Sequence, residues 1–331
     1  MKTPADEAVT GHLRRLIETQ GPIPVADYMA VANTHYYAKE AVLGAAGDFT
    51  TAPEISQMFG ELIGIWISDL WTRAGEPIHA YYVELGPGRG TLARDALRAM
   101  TKAGLAPQAE LVETSPRFRA IQSDNIAEAR WHDDVDTLPA DGPLLIVANE
   151  FFDALPVRQF DSSGRELRVA WEGDRFVRTG LVHKESSPAA LDIVSKIGRR
   201  LVDQGGAFLI IDYGHERPGT GDTLQAVSRH SYADPWEEPG ARDLTAHVDF
   251  AALASAAGTT GAFVHGPIAQ GEWLEAMGIR LRAAALAKSS PGQAEQIAVA
   301  TERLTHVDHM GGLFKVLALT APGWPAPAGF R

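Results

Sequence analysis

Short apolar runs and longer segments of helical period alternate along most of this chain. The apolar runs predict strands over residues 81–85, 108–113, 130–132, 143–148, 207–212, 261–265 and 314–319. Segments in which apolar residues recur every three or four positions predict helices over residues 91–103, 117–127, 188–202, 271–277 and 291–308. Strands that alternate with helices in this way are typical of an α/β fold, so the pattern predicts a doubly wound sheet.

Residues 1–75 are predicted to form a helical N-terminal region that precedes the sheet. Residues 1–20 have the pattern of a polar helix, and residues 54–74 have that of a longer, amphipathic helix. The apolar residues of the longer helix form one broad stripe, which predicts that this face is buried. Residues 48–51, Asp-Phe-Thr-Thr, are polar and turn-prone at its start, and they are suited either to contact an anion or to cap the helix.

The rest of the chain divides into the predicted sheet and segments added to it. Residues 76–215 and 261–320 form the predicted core, with a hairpin over residues 160–180 at the edge of the sheet. Residues 216–260 are polar and too long for a plain loop, so we expect an inserted region that docks a partner. Residues 321–331 are rich in proline and glycine, which predicts a loose tail.

Charge and composition narrow the classes of partner. The formal net charge is −12 at pH 7, which argues against a nucleic-acid binder because its binding face would be basic. The chain has no cysteine, so disulfides and Cys-ligated zinc sites are excluded. No apolar run reaches the roughly 20 residues of a membrane helix, and residues 1–20 lack the apolar centre of a signal peptide. We therefore expect a cytoplasmic protein without membrane insertion.

The stretch 81–91, YYVELGPGRGT, carries the clearest candidate chemistry. A strand runs into Glu84 and then into Gly86, Gly88 and Gly90, directly before a helix. Glycines let backbone N–H groups approach a ligand closely, and the start of a helix adds partial positive charge. The spacing differs from the G-x-G-x-x-G of dinucleotide sites, and the carboxylate of Glu84 can accept from an ammonium group. These features favour a methionine-bearing nucleoside, the alternative being a turn without a ligand.

Acidic residues also follow the next predicted strands. Glu113 ends the second strand, where a carboxylate can accept from both ribose hydroxyls of a nucleoside, and Asp134 lies in an acidic loop after the third. Glu150 and Asp153 follow Asn149 at the end of the fourth. If residues 150–153 form a helical turn, the two carboxylates are adjacent and can bind a guanidinium group together. Solvated acids at a helix cap are the alternative.

The histidines are weaker candidates for a catalytic or metal-binding role than the acidic residues. His215 follows the fifth strand and is a candidate base or substrate contact, although a lone histidine is more often structural. His230, His247 and Asp249 match no standard metal spacing, so we predict no metal site.

Seven stretches in chain order resemble the MidA-type methyltransferases, whose mitochondrial members are complex I assembly factors that dimethylate an arginine symmetrically. They are GDFTTAPEISQMFGELIGIW (47–66), VELGPGRGTLARD (83–95), VETSP (112–116), ANEFFDALPVRQF (148–160), IDYGH (211–215), DLTAHVDF (243–250) and MGGLFKVL (310–317). GDFTTAPEISQ and NEFFDALPV are long and unusual, so this match is more specific than the glycine turn. The resemblance implies a class I, Rossmann-like fold, S-adenosyl-L-methionine (SAM) as cofactor, and protein arginine N-methyltransferase activity.

With this resemblance, each candidate residue receives a role. We assign the orientation of the substrate guanidinium to Glu150, with Asp153 and Glu54 as further catalytic candidates. The implied cofactor contacts include Asp134 at the adenine and a flap over residues 49–53; the full set is Glu84, Gly86, Gly88, Gly90, Glu113, Asp134, Asn149, Phe49, Thr50, Thr51 and Pro53. The implied partner is a protein substrate with a reactive arginine, such as a subunit of respiratory complex I.

Other classes of function stay open at this stage. A non-catalytic assembly factor would bind SAM without transferring its methyl group. An NAD-dependent oxidoreductase can use a similar fold, although the spacing of the glycines argues against it. Methylation of a small molecule is a further alternative, which the inserted region and the hairpin disfavour because they extend the surface for a protein partner.

Overall fold

The computed structural model describes residues 4–38, 51–228 and 231–330. Its helices are α1 (Pro4–Gln20), α2 (Val25–Tyr36), α3 (Ala52–Ile55), α4 (Gln57–Arg73), α5 (Thr91–Lys102), α6 (Pro116–Asn125), α7 (Pro188–Gln204), α8 (Phe250–Gly258), α9 (Gln270–Ala276), α10 (Ile279–Ser289), α11 (Ala294–Thr305) and α12 (Met310–Leu313). Its strands are β1 (Ile23–Pro24), β2 (Tyr81–Leu85), β3 (Gln108–Val112), β4 (Arg130–His132), β5 (Leu144–Asn149), β6 (Arg158–Phe160), β7 (Arg168–Glu172), β8 (Arg175–Arg178), β9 (Lys184–Ser186), β10 (Gly206–His215), β11 (Gln225–Ser228), β12 (Ser231–Ala233), β13 (Asp243–Thr245), β14 (Val248–Asp249), β15 (Phe263–Ala269) and β16 (Phe314–Thr320). Among the described helices, none is both long and apolar enough to span a membrane.

Contacts between residues divide the chain into two compact units. The sheet unit comprises Thr51–Phe151, Ile193–Glu216 and Phe250–Arg331, and the N-terminal unit comprises Met1–Thr50, Phe152–Asp192 and Arg217–Asp249. These boundaries differ from the sequence-based ones. Residues 51–73 belong to the sheet unit rather than to an N-terminal lid, and the hairpin within residues 160–180 belongs to the N-terminal unit.

The sheet unit is organised on strands in the order β15-β16-β10-β5-β2-β3-β4. Strands β10, β5, β2, β3 and β4 run parallel, while β16 is antiparallel to both β10 and β15. From β2 the chain moves outward to β4 and then returns to β5, so the strand order reverses between β2 and β5. Open α/β sheets bind ligands at such a switch point. The predicted doubly wound α/β fold is confirmed, and β16 lies inside the sheet, between β15 and β10.

Burial explains why the central strands read as continuous apolar runs. Every residue of β5 is buried, as expected of a parallel strand that is covered on both faces. Helices α4 and α5 pack closely in the same unit, because a Cβ at Gly64 would lie only 2.4 Å from the carbonyl oxygen of Ala96. The helix predicted over residues 54–74 is interrupted at Ser56. This residue is extended (φ −160°) and caps α4, since its Oγ accepts from the N–H of Met58 at 3.2 Å.

The N-terminal unit has its own apolar core under α1 and α2. The hairpin β7–β8 pairs with β1 and not with the central sheet, which corrects the prediction of an edge hairpin. The hairpin lies in the N-terminal unit because its apolar face packs there. Val169 is paired with Ile23, and the Phe176 ring packs edge-on against the Tyr28 ring, with 5.3 Å between the ring centroids. In the inserted region, residues 243–249 contain the short strands β13 and β14, and α8 begins at Phe250.

The C-terminal residues pack on the core of the sheet unit. The indole Nε1 of Trp66 donates to the carbonyl oxygen of Ala328 at 3.1 Å, and Trp324 and Phe330 pack against buried apolar side chains. The prediction of a loose tail is therefore wrong for the described residues 321–330, because its aromatic side chains find partners. Residues 279–289 form α10, a helix that the periodicity of the sequence does not predict.

Candidate functional site

The carboxyl ends of four parallel strands lie at one edge of the sheet. Leu85 is paired with Val112 on one side and with Ala148 on the other, and Val112 is paired with His132. The residues that follow these pairs therefore all begin at the same edge of the sheet. The structure therefore brings together the glycine turn, Glu113, the loop of Asp134, Asn149 and Glu150.

The glycine turn needs glycine for two physical reasons. Gly86, Gly88 and Gly90 all have positive φ (61°, 52° and 78°), a conformation that side chains disfavour. A Cβ at Gly86 would also lie 2.8 Å from Cδ2 of Phe151, and one at Gly90 would lie 3.0 Å from Cδ1 of Ile126. Gly90 is the N-cap residue of α5, so the turn presents the first N–H groups of that helix at the sheet edge.

Glu84 is buried (3% exposed) beneath the turn. The hydroxyl of Tyr82, two residues earlier on the same face of β2, donates to Glu84 Oε2. Burial raises the pKa of the Glu84 carboxyl to about 8, an effect that the bond from Tyr82 only partly opposes. This carboxyl is therefore mostly protonated at neutral pH in the ligand-free protein, and a cation placed against it would favour the charged form.

Replacement of Glu84 by glutamine is expected to stabilise the protein more at pH 8 than at pH 5. The folded-state pKa of Glu84 is about 8 and its reference value is 4.5, so the folded state keeps a proton that the unfolded state releases within this window. Wild-type stability therefore falls as the pH rises through the window. Glutamine keeps the acceptor for Tyr82 but does not titrate. Urea denaturation should show the advantage of the variant growing by about 2–4 kcal/mol from pH 5 to pH 8.

The exposed Glu128 provides the control for this comparison. Glu128→Gln should show no such change in its stability relative to the wild type across the same pH range. A constant stability difference between Glu84→Gln and the wild type from pH 5 to pH 8 would show that Glu84 is ionised throughout in the folded protein.

Glu113 and Asp134 differ in how firmly they are held. Glu113 Oε1 accepts from the N–H of Ser115 at 2.8 Å, and burial raises the pKa of the Glu113 carboxyl although this bond opposes the shift. Asp134 is exposed, and its Oδ1 accepts from the N–H of Asp136 at 2.8 Å as the cap of a short 3₁₀ helix. The two carboxylates thus have fixed positions after β3 and β4, the ends at which a nucleoside is expected.

Glu150 has a backbone conformation that side chains seldom adopt. Its φ is +51°, and its N–H donates to the carbonyl oxygen of Ile211 at 3.0 Å. Its Oε1 accepts from the N–H of Ala52 at 3.1 Å and from Nδ2 of Asn149 at 3.2 Å. The helical turn expected over residues 150–153 is therefore wrong, because the chain leaves β5 through a left-handed residue. A positive φ at a residue with a side chain costs free energy, and the bonds with Ile211 and Ala52 hold Glu150 in this conformation.

Asn149 contributes a second polar atom at this strand end. The residue is 9% exposed, and its Oδ1 is buried without a hydrogen-bond partner among the described residues. An unsatisfied buried acceptor costs free energy, so this atom fits a site completed by a donor from a ligand.

The segment before α4 carries the described part of the expected flap. The carbonyl oxygen of Thr51 accepts from the N–H of Glu54 at 2.9 Å, and Pro53 lies in the first turn of α3. The carboxylate of Glu54 accepts from the hydroxyl of Thr91, the first residue of α5. These bonds attach the flap segment to the helix that follows the glycine turn. Phe49 and Thr50 lie outside the described residues.

Asp153 belongs to the N-terminal unit, where it is buried with another acid. Its exposure is 7% and that of Asp243 is 6%. The hydroxyl of Tyr37 donates to Asp243 Oδ1 at 2.9 Å, and the pKa of Tyr37 is raised well above its usual value by burial and by both carboxylates. Sequence analysis did not assign a role to Asp243, although it opens the stretch DLTAHVDF.

Asp212 is a further residue without a role in the sequence-based assignment. It is fully buried in β10, and its Oδ2 accepts from the N–H of Phe151 at 3.1 Å while its Oδ1 accepts from that of Tyr213 at 2.9 Å. It therefore holds the backbone directly after Glu150. The sequence feature that could have indicated Asp212 is its place as an acid near the end of a buried strand.

Two of the candidate histidines lie in β10 and in the inserted region. His215 ends β10, and the N–H of His247 donates to Thr223 Oγ1 at 2.9 Å. His230 lies outside the described residues.

Three features of this edge fit a nucleoside that carries an amino acid group. The glycine turn offers N–H donors, Glu113 offers two carboxylate oxygens, and Asn149 offers an unsatisfied acceptor. Glu84 adds a carboxyl that a nearby ammonium group would ionise. Among the described residues, no group of acidic and histidine side chains could hold a metal ion.

Comparison with known proteins gives a family for the chain. A family model described as "Putative S-adenosyl-L-methionine-dependent methyltransferase" matches residues 62–180 and 181–268. The protein arginine methyltransferase NDUFAF7, mitochondrial, of Danio rerio is 34% identical, and the match covers 95% of this chain and 87% of that protein. The protein of the same name from Homo sapiens is 34% identical, with 96% and 85% covered.

Two solved structures agree with the whole fold. One, from Burkholderia thailandensis with bound S-adenosyl-homocysteine, has a TM-score of 0.86 and 26% identity, and the match covers 100% of this chain and 98% of that chain. A native crystal structure from the same organism has a TM-score of 0.83 and 27% identity, with the same coverage.

Proposed function

This chain belongs to the MidA-type family of S-adenosyl-L-methionine-dependent methyltransferases, and we propose that it methylates arginine side chains of a protein. Its cofactor is SAM. The observation that carries the proposal is the carboxylate of Glu150, which a left-handed backbone places at the end of β5, beside the glycine turn. The relatives named as protein arginine methyltransferases support this choice of substrate.

The cofactor is assigned to the edge of the sheet where β2, β3 and β5 end. The N–H groups of the glycine turn and of the start of α5 are suited to its carboxylate group, and Glu84 to its ammonium group. Glu113 is suited to the ribose hydroxyls and Asn149 Oδ1 to a donor of the cofactor. Asp134 remains our candidate for the adenine amino group, and Thr51 and Pro53 remain candidates for the flap.

Bound SAM supplies a methyl group on a positively charged sulfur. The protein has to hold an arginine nitrogen in line with that methyl group and to exclude water. A guanidinium group is a poor nucleophile, because its lone pairs are delocalised and it stays protonated at neutral pH. A carboxylate that binds two of its N–H groups fixes its plane and favours positive charge on the nitrogens it contacts. We assign this task to Glu150, whose Oε1 is already oriented by Ala52 and Asn149.

Asp153 and Glu54 remain additional catalytic candidates. Asp153 and Asp243 are both buried in the N-terminal unit and both act on Tyr37, and buried carboxylates provide a negative environment for a cationic side chain. Glu54 is bonded to Thr91, which favours a role in holding the flap segment. Symmetric dimethylation, a complex I subunit as substrate and a cytoplasmic location are parts of the same proposal. The first two rest on the family resemblance, and the location is carried over from the sequence-based expectation.

Methyl transfer from labelled SAM tests the proposal directly. The purified protein should transfer label to a discrete protein in a lysate from cells that lack this chain, and acid hydrolysis should recover the label as methylarginine. Chromatography that separates symmetric from asymmetric dimethylarginine identifies which of the two is formed. Label on another amino acid would replace arginine as the substrate. Cofactor binding without any labelled protein or small molecule would favour the non-catalytic assembly factor.

A further inference from the structure

Helix α6 contacts the glycine turn through two side-chain amides. Gln122 Nε2 donates to the carbonyl oxygen of Gly88 at 2.8 Å, and Asn125 Nδ2 donates to that of Arg89 at 2.9 Å. In a trans peptide the N–H points opposite to the C=O. Holding the Gly88 carbonyl against α6 therefore directs the N–H of Arg89 to the other side of the turn. The orientation of these peptide planes therefore determines which N–H groups face the carboxylate of a bound cofactor.

Gln122 also connects this turn to the next two strands. It is fully buried, its Nε2 lies 3.4 Å from Glu113 Oε2, and its Oε1 accepts from Nε1 of Trp131 at 2.8 Å. An indole N–H only donates and a backbone carbonyl only accepts, so a single orientation of the amide satisfies both neighbours. One buried side chain thus links the glycine turn after β2, the carboxylate after β3 and an aromatic residue in β4.

We propose that Gln122 is a positioning residue for the cofactor. It sets the distance between the glycine turn and Glu113, the two groups assigned to opposite ends of SAM, and it fixes the direction of the Gly88–Arg89 peptide. Its amide is needed for this task because it combines one donor and one acceptor. The proposal rests on SAM as the cofactor and is independent of which substrate receives the methyl group.

Two substitutions at this position separate hydrogen bonding from packing. Gln122→Met keeps the length of the side chain and removes both polar groups. Gln122→Glu keeps the shape, and its carboxyl group, once ionised at higher pH, places a negative charge beside Glu113 and the Gly88 carbonyl. At lower pH the substituted carboxyl group is protonated and has one O–H donor and one carbonyl acceptor, which restores the pattern of the amide.

Calorimetric titration with S-adenosyl-homocysteine measures the effect. We expect Gln122→Glu to bind at least about tenfold more weakly than the wild type at pH 8, as for the loss of one buried hydrogen bond. The ratio of its affinity to that of the wild type should recover towards one as the pH falls to 5.5. A carboxyl at position 122 couples to the titration of Glu113, whereas Gln122→Met adds no ionisable group and serves as the comparison at each pH. Gln122→Met should lose about tenfold at every pH.

Ser123→Ala, at the next and exposed position of α6, should bind as the wild type does. Circular dichroism establishes that each variant is folded at the pH of titration. If Gln122→Glu unfolds at pH 8, the affinity of Gln122→Met alone tests the proposal. Affinity within twofold of the wild type for Gln122→Met would overturn the proposal. So would a loss of affinity in Gln122→Glu that stays the same from pH 8 to pH 5.5, because the protonated carboxyl group has the donor and the acceptor that the proposal requires.

Discussion

Gly88→Arg is expected to abolish cofactor binding, with affinity for S-adenosyl-homocysteine reduced by at least about 100-fold. Gly88 has a φ of 52° at the centre of the turn, and its carbonyl oxygen is held by Gln122 on the α6 side. A side chain at this position would occupy space that a ligand needs in order to reach the N–H groups of the turn. Arginine also adds backbone strain of about 1 kcal/mol, because residues with a Cβ disfavour positive φ. Calorimetry and the ligand-induced shift in Tm measure the loss.

Gly104→Arg is a matched control for the strain and for the added side chain. Gly104 follows the other end of α5, has a φ of 90°, and a Cβ there would meet no atom within 4 Å. Both variants should lower the Tm of the ligand-free protein by a few degrees, as expected for about 1 kcal/mol. Only Gly88→Arg should lose the stabilisation that the ligand provides. If Gly88→Arg binds S-adenosyl-homocysteine with the same affinity as Gly104→Arg, the glycine turn is not part of the cofactor site.

The geometry of the sheet edge to which we assign the cofactor could be predicted from sequence, because its determinants are local. Gly86, Gly88 and Gly90 directly follow a short apolar strand and precede a helical period, and the structure places the turn there. Glu113 and Asn149 could be placed because parallel strands end at the same edge of a sheet. Each inference needed only one strand and the two or three residues after it.

The remaining features depend on contacts between residues far apart in the chain. The left-handed Glu150 is held by Ile211 and by Ala52, which a pattern of residues 148–156 cannot show. The sequence offers a helical turn as its interpretation, because acids three positions apart lie on the same face of a helix. Gln122 looks like an ordinary polar residue of an amphipathic helix, and its burial follows from the partners that β4 and the glycine turn provide. The tail reads as loose because proline and glycine dominate it, whereas its few aromatic residues decide its packing.

Glu150→Gln is expected to lower methyl transfer by about 100- to 1,000-fold while cofactor affinity stays within threefold of the wild type. Glutamine can still accept from Ala52 and Asn149 through its Oε1, so the bonds that hold the flap segment are preserved. What it loses is the negative charge that would fix a guanidinium group and stabilise its positive charge. The loss should therefore appear in the rate of a single turnover at saturating SAM. Label transferred from SAM to the lysate substrate measures this rate, and calorimetry measures the affinity.

Glu76→Gln is the matched control, since Glu76 is an exposed glutamate of the same unit that also has a positive φ, 55°. It should transfer methyl groups at the wild-type rate. Glu150→Ala complements the pair, because it removes both the charge and the acceptor for Ala52. If the acceptor matters for the flap, Glu150→Ala should weaken S-adenosyl-homocysteine binding where Glu150→Gln does not. Wild-type turnover in Glu150→Gln would exclude charge stabilisation by Glu150. The buried carboxylates of Asp153 and Asp243 would then be the next to test, each by replacement with asparagine.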